Sequence, residues 1–242
     1  MMEKSDTVTR LFERYNAYTR RPTVQDPRMR RVIFQSLNRI LSSWLPPDPN
    51  ASILDIGCGE GSLLAFLRER GYANLAGFDI SPENVAICHQ IGLHFVEQAD
   101  ALRLGERYPD ERFDVIFALD LLEHLPKGRA ASFLADARRC LHPGGFLIIQ
   151  TPNMGCVFGY YCRFNDLSHE FGLTEKSARD LMMVAGFQDQ DVEIRPSWNA
   201  TTLLGFTREY YLRLIHRLIF LAEDSSRPRI PTKNLLIRAR KA

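Results

Sequence analysis

The stretch Ile53-Leu54-Asp55-Ile56-Gly57-Cys58-Gly59-Glu60-Gly61 decides how the rest of the chain is read. A short apolar run leads straight into a glycine-rich turn, and residues 62–70 after it have a helical pattern. Glycine has no Cβ and tolerates positive φ, so backbone in such a turn can approach a ligand closely, while the helix that follows offers unpaired N–H groups at its start. A nucleotide-like ligand is the natural occupant. A dinucleotide fingerprint would carry its third glycine three positions after the second, but Ser62 stands there and the extra glycine falls at Gly61. Asp55 lies two residues before the first glycine, where its carboxylate faces the bound group. That is awkward for a pyrophosphate and suits an ammonium- or sulfonium-bearing ligand.

Outward from this stretch, apolar runs at 52–56, 75–79, 93–96, 115–119 and 146–150 alternate with helix-compatible segments. Parallel strands need crossover connections, so the alternation predicts a parallel sheet covered on both faces, with ligands collecting at the carboxyl ends of its strands. Residues 190–195 and 234–240 read as two further strands, with a helix at 174–185 and another at 207–221. Thr174 is a weak cap signal, because Ser177 stands three residues later where the capping box prefers Glu or Gln. Residues 7–45 read as helical, interrupted near Pro22 and Pro27, with Val32, Ile33, Leu37, Ile40, Leu41 and Leu45 as the apolar stripe. The run Pro46-Pro47-Asp48-Pro49 stops it and sets the border between an N-terminal helical cap, 1–48, and a main domain, 49–242.

Two more acids fall at strand ends. Asp79, in Gly77-Phe78-Asp79-Ile80-Ser81, is placed to accept both ribose hydroxyls of a nucleotide; its competing use as a helix cap is better filled by Ser81 ahead of Pro82. Asp100, in Gln98-Ala99-Asp100-Ala101, is placed to accept an adenine amino group, or is an ordinary loop acid.

Taken in order, these segments resemble the class I S-adenosylmethionine-dependent methyltransferases, especially small bacterial ones that act on surface polysaccharides and other small molecules. The resemblance runs from about residue 51 to 195 through the glycine turn, Asp79, Asp100, 113–125 and 141–153. It implies a Rossmann-like α/β fold with a seven-stranded, mostly parallel sheet, and acceptor-binding insertions at about 154–173 and 197–230. It also implies S-adenosyl-L-methionine as cofactor and S-adenosyl-L-homocysteine as product. Asp55, Gly57, Cys58 and Gly59 would surround the methionine portion, Asp79 with Ile80 the ribose, and Asp100 with Ala101 the adenine. Leu119 and Asp120, leading to Glu123 and His124, would close the pocket. Enzymes of this class that methylate the amino groups of nucleic-acid bases usually carry Asn-Pro-Pro-Tyr at the fourth strand end. Here Asp120-Leu121-Leu122-Glu123 stands there, and Thr151-Pro152-Asn153 comes one strand too late.

Methyl transfer from a sulfonium is an in-line displacement that asks mainly for alignment and exclusion of water. A hydroxyl acceptor is the exception, since its proton must leave, and histidine is matched to that work near neutrality. His169, in Asn165-Asp166-Leu167-Ser168-His169-Glu170, is the first candidate, with Glu170 beside it; His124 is the second. The competing reading has Asp166, His169 and Glu170 bonding one another to hold a loop. A metal on those three is set aside, as no further His or Cys has ligand spacing. His89, His94, His142 and His216 read as structural. The aromatic run 157–164 reads either as a lid or as a platform for a flat acceptor, with Arg163 available to an anion.

Composition narrows the class. The 31 basic and 29 acidic residues leave a net charge of +2, too small to imply a nucleic-acid partner. Five cysteines without a C-x-x-C pair argue against a disulfide framework or a zinc site and for a reducing cytoplasm. No secretory signal or transmembrane segment is read. The expected acceptor is a small molecule or glycan precursor, methylated on oxygen or nitrogen. The aromatic and aliphatic side of residues 206–221 is expected to pack in the core or form a homodimer face, the competing reading being contact with a membrane or a partner. The competing functions are a nicotinamide-dependent sugar oxidoreductase or epimerase and a binding protein that keeps the cofactor fold without catalysis.

Overall fold

A computed structural model describes residues 11–12, 24–222 and 228–242. The glycine turn leaves β1 (Ile53–Ile56), and β2 (Leu75–Asp79), β3 (Val96–Gln98), β4 (Phe113–Leu119) and β5 (Leu141–Pro152) all run parallel to it. With β6 (Val192–Pro196) and β7 (Asn234–Arg240) they make a seven-stranded sheet of order β3-β2-β1-β4-β5-β7-β6. β7 runs antiparallel to both β5 and β6. Strand order reverses between β1 and β4, which opens a crevice at their carboxyl ends.

Helices cover both faces: α1 (Pro27–Leu41), α2 (Ser62–Glu69), α3 (Pro82–Gln90), α4 (Leu104–Arg107), α5 (Ala130–Cys140), α6 (Gly159–Phe164), α7 (Glu175–Val184) and α8 (Leu203–Ala222). Side chains alternate across a strand, so neighbours along β1 and β4 enter different cores. Leu54, Ile56, Ile116 and Ala118 join Phe133 and Leu134 of α5 and Met182 of α7. Ile53, Val115 and Phe117 join Ile40 and Leu41 of α1 and Phe66 and Leu67 of α2. A smaller cluster of Leu64, Val85, Cys88, Leu93 and Val96 ties α2 and α3 to the β3 edge. Each fully buried Leu, Ile or Phe contributes about 1.5–3 kcal/mol, so this double burial fixes the strand faces. All four residues of β1 are buried, Asp55 included.

Several boundaries differ from the sequence reading. β3 starts at Val96 because Leu93 is apolar for packing against α2 and α3, not for pairing. β5 begins at Leu141 because Leu141 pairs with Phe113 ahead of a register shift in the β4–β5 ladder. Pro27 begins α1 instead of interrupting it: Asp26 caps the helix by accepting from the Arg28 N–H at 2.8 Å, and proline at the first position loses no helical bond. Val32 faces solvent, and Phe34, outside the expected stripe, packs in its place beside Leu37. The earlier part of the expected helical cap, apart from residues 11–12, lies outside the described residues. Thr174 and Ser177 form a complete capping box, the Ser177 hydroxyl accepting from the Thr174 N–H at 2.9 Å as a Glu would.

Of the two expectations for 206–221, core packing is the one that needs correction. In α8, Tyr210, Tyr211, Leu214, Leu218 and Ile219 are exposed, not packed in the core. The opposite side holds the helix down: Glu209 pairs with Arg39, and His216 Nε2 lies 2.9 Å from the Pro228 carbonyl. No helix among the described residues is long and apolar enough to cross a membrane.

Candidate active site

The turn after β1 is hooked onto the end of β2. The N–H groups of Gly57 and Cys58 both donate to the Phe78 carbonyl, at 2.9 and 3.1 Å. This brings the Gly59 N–H to Asp79 Oδ2 at 2.9 Å. Gly59 has φ +54°, and a Cβ placed there would meet nothing within 4 Å, so backbone conformation alone demands glycine and the space beyond stays open. Gly61 is different: at φ +77° its Cβ would lie 2.5 Å from Leu93 Cδ1 and 2.9 Å from Cys88 Sγ. Gly61 also caps α2 without a side-chain oxygen, so the cap itself offers no acceptor to the first-turn N–H groups.

A cavity of about 380 Å³ lies over this turn. Asp55, Gly57, Cys58, Gly59, Asp79, Ile80, Asp100, Ala101 and Leu119 all line it, so the crevice gathers the nine residues expected to hold a cofactor. His124 lines it as well, together with Asp120 and Gln150. Phe12, Ile33, Leu37 and Ile40 supply an apolar side from the N-terminal segment.

Two buried carboxylates dominate the floor. The Asp55 carboxylate accepts no hydrogen bond from the described residues; burial pushes its pKa well up, and the neighbouring charge of Asp79 adds to the effect. Asp79 is better provided: Oδ1 accepts from the Ser81 N–H at 2.8 Å and the Asn84 side-chain amide at 3.0 Å, and Oδ2 from Gly59. Burial raises its pKa, and those three bonds oppose the rise. Ser81 is the cap of α3, as expected. Three of about four acceptor positions on Asp79 are therefore used, leaving room for one hydroxyl where the sequence reading had two. Asp100 is half-buried and caps the short turn Ala101–Arg103 by accepting from the Leu102 N–H at 3.0 Å. The Cys58 thiol is held protonated, first by its hydrogen bond with Cys88 and then by burial.

The histidines meet across the chain. The rings of His124 and His169 stand edge to face with centroids 4.7 Å apart, and Phe12 packs on His124 at 5.9 Å. His124 Nδ1 lies 2.9 Å from Ser168 Oγ, and that hydroxyl donates to Asp166 Oδ1. His169 Nδ1 lies 3.0 Å from the Cys162 carbonyl, and burial lowers the pKa of the ring. His124 is buried at the cavity wall, whereas half-buried His169 stands behind it.

Of the expected Asp166, His169 and Glu170 cluster, the first two do bond, the His169 N–H donating to the Asp166 carbonyl at 3.2 Å, but Glu170 stays out of it. Glu170 is exposed, and only its backbone joins, donating to the Glu123 carbonyl at 2.8 Å. The group that comes together is Glu123, His124 and His169, whose ligating atoms all lie within 4.8 Å of one another. Glu123 is buried and accepts from the Thr151 hydroxyl at 3.1 Å. Arg163, expected to be available to an anion, donates instead to the Glu170 carbonyl at 2.8 Å. Sequence reasoning missed Ser168, Asn84, Thr151 and Gln150. The Asp166-to-Ser168 spacing does signal an Asx turn, with the Ser168 N–H donating to Asp166 Oδ1 at 3.0 Å, but its reach to His124 depends on the fold. At the β4 end, Asp120 has φ +52°, and Gln150 donates to both its carboxylate oxygens at 3.1 Å.

A crevice at the sheet's switch point, with a glycine turn and a ribose-type acid on the next strand, defines a nucleotide-cofactor enzyme of the Rossmann-like class. A family model described as a methyltransferase domain matches residues 26–217, and the chain belongs to that family. Family and structural neighbours together support S-adenosylmethionine as the cofactor and do not favour the nicotinamide-enzyme reading. Among solved structures, the chain shares its fold with a SAM-dependent methyltransferase from Archaeoglobus fulgidus, at TM-score 0.67 and 22% identity over 88% of this chain and 94% of that one. A second, from Mesorhizobium loti, matches at TM-score 0.60 and 20% identity, covering 85% and 97%. Curated relatives include the ubiquinone biosynthesis O-methyltransferase of Pasteurella multocida, 33% identical over 48% of this chain and 54% of that protein. The enzyme of the same name from Pseudomonas aeruginosa UCBPP-PA14 is 37% identical over 42% and 44%. The chain thus spans about half the length of the curated relatives it matches. Neither name carries the glycan chemistry expected from the sequence.

Proposed function

We propose that this enzyme methylates a hydroxyl oxygen of a small acceptor, with Glu123, His124 and His169 as the groups that promote loss of the hydroxyl proton. The observation that carries the reading is the imidazole pair formed by His124 at the cavity wall and His169 behind it, the first ring backed by Ser168 and Asp166. A neutral amine is already nucleophilic, whereas a hydroxyl is not until its proton leaves, so a buried histidine pair is of most use to an oxygen acceptor. The printed O-methyltransferase names of the relatives support the same choice. The apolar side formed by Phe12, Ile33, Leu37 and Ile40 favours an acceptor with a hydrophobic body over a bare sugar.

The cofactor's chemistry fits the floor of the site. When bound, S-adenosylmethionine supplies a methyl group on a positively charged sulfur, poised for in-line displacement. Asp55 receives the ammonium end, since a buried carboxylate with no protein donor gains most from a cation. The remaining acceptor position of Asp79 takes a ribose hydroxyl, Asp100 and Ala101 border the adenine, and the α2 start lies under the methionine carboxylate.

The test is radiolabelled methyl transfer to a panel of phenols, catechols, sugars and amines. Transfer to phenolic or catecholic hydroxyls is expected, and His169→Ala should slow it roughly 100-fold or more while leaving S-adenosylhomocysteine affinity unchanged. Exclusive methylation of amines, or a wild-type rate in His169→Ala, would refute the assignment.

A further inference from the structure

One side of α8 is fixed to the body of the molecule and the other is bare. On the fixed side, Glu209 accepts from both terminal nitrogens of Arg39 at 2.8 and 2.6 Å, and the same guanidinium lies over the Phe206 ring at 4.6 Å. On the bare side, Leu204, Thr207, Tyr211, Leu214, Leu218 and Leu221 are all exposed. Their spacings alternate between three and four residues, which lines them up as one seam along the helix. A seam of that period is what one helix offers another, whose side chains it can interleave; a lipid surface imposes no such spacing. The exposed leucines and tyrosines of this side, with Leu203 at 82% and Tyr210 at 72%, each offer on the order of 100 Å² of apolar surface. Together they exceed the few hundred Å² that a lone monomer usually shows and approach the roughly 800 Å² that each partner gives to a stable interface.

We infer that this seam is an isologous interface, on which a second copy of the chain lays its own α8 antiparallel about a two-fold axis between Tyr211 and Leu214. The register follows from the spacing. Leu204 then meets Leu221 of the second copy, Thr207 meets Leu218, and Tyr211 meets Leu214, so each larger or polar member of the seam finds a leucine. Charge agrees with the same order. Glu209 is the sole acid of α8 and is taken by Arg39, while Arg213 lies over the Trp198 ring at 4.5 Å. Arg208 and Arg217 flank the seam on opposite sides. A two-fold of this kind sets like flank against like flank, which brings Arg208 beside Ile215 of the second copy and Arg217 beside its Tyr210. A guanidinium can rest on the ring and an aliphatic stem on the isoleucine, and no arginine faces another. Through Glu209 and Arg39 the paired helices also bear on α1, whose Leu37 and Ile40 line the cavity.

The experiment is sedimentation velocity on the full chain with S-adenosylhomocysteine present, where a dimer is expected at about 10 µM. The double variant Leu214→Glu, Leu218→Glu should sediment as a monomer, its association weakened roughly 100-fold or more, with S-adenosylhomocysteine affinity unchanged by calorimetry. Leu167→Glu, on the exposed segment ahead of α7, should leave the dimer intact. A second measurement needs no loss of packing: Leu204→Cys and Leu221→Cys chains, mixed and oxidised, should form a disulfide-linked dimer that neither forms alone. If the double variant fails to fold, this cross-link decides. A wild-type monomer at about 50 µM, a dimer that survives the double variant, or linking of like with like would overturn the interface. A monomer that pellets with phosphatidylglycerol vesicles, and no longer does so in the double variant, would overturn it in favour of a lipid-facing helix.

Discussion

Asp55 is the residue whose energetics depend most on what fills the crevice. Its folded-state pKa lies above the ordinary aspartate value of about 3.9, because burial and Asp79 both disfavour the charge. The folded chain therefore holds this proton more tightly than the unfolded chain does. The stability from this group is present at low pH and is lost as pH rises from about 3.9 through the raised folded value. Asp55→Asn keeps the shape and removes the charge. It should raise the melting temperature of the cofactor-free protein at neutral pH and weaken S-adenosylhomocysteine binding by about 1.5–3 kcal/mol, roughly 10- to 150-fold. Thermal melts and calorimetry at pH 5 and 7.5 check both, and a lower melting temperature for Asp55→Asn would contradict the account. The sequence announced Asp55 and Asp79, since each is fixed by its distance from a strand end and a glycine. Ser168 went unread, because what matters about it is a partner 44 residues away.

At the scale of elements, the join between β5 and the loop before α6 depends on one side chain. Buried Asn153 donates to the carbonyls of Ile230 and Thr232, both at 2.9 Å, and accepts from the Gly155 N–H at 2.8 Å. It fastens the approach to β7 onto the end of β5. Asn153→Ala leaves these backbone groups without their partner, which should cost about 1–3 kcal/mol. The urea midpoint should fall with little change in slope, and S-adenosylhomocysteine affinity should hold; an unmoved midpoint would show the clamp to be dispensable. Elements with strong local punctuation were legible: Ser81-Pro82 marks the start of α3, and Gly186 follows α7. Those that depend on a neighbour were less so. The extension of β5 back to Leu141 needs Phe113 beside it, and the exposure of α8 could not be inferred from its apolar residues.

For the molecule as a whole, the alternation of apolar runs and helices was enough to imply a parallel sheet with a crevice at its switch point, because crossover geometry leaves few other arrangements. It did not reveal the order of the last two strands, since residues 190–195 and 234–240 look equally suited to either position. In the structure β7 occupies the inner place, and among the described residues β6 joins the sheet through β7 alone. A strand made earlier must therefore wait for one made later, separated from it by the whole of α8. During refolding, pulse-labelled hydrogen exchange should find the amides of Val192–Pro196 protected no sooner than those of Asn234–Arg240. Earlier protection of the first set would mean that β6 has found a temporary home. Until β7 arrives, the edge of β5 is left bare, and that interval is when the nascent sheet is most open to pairing with a stranger.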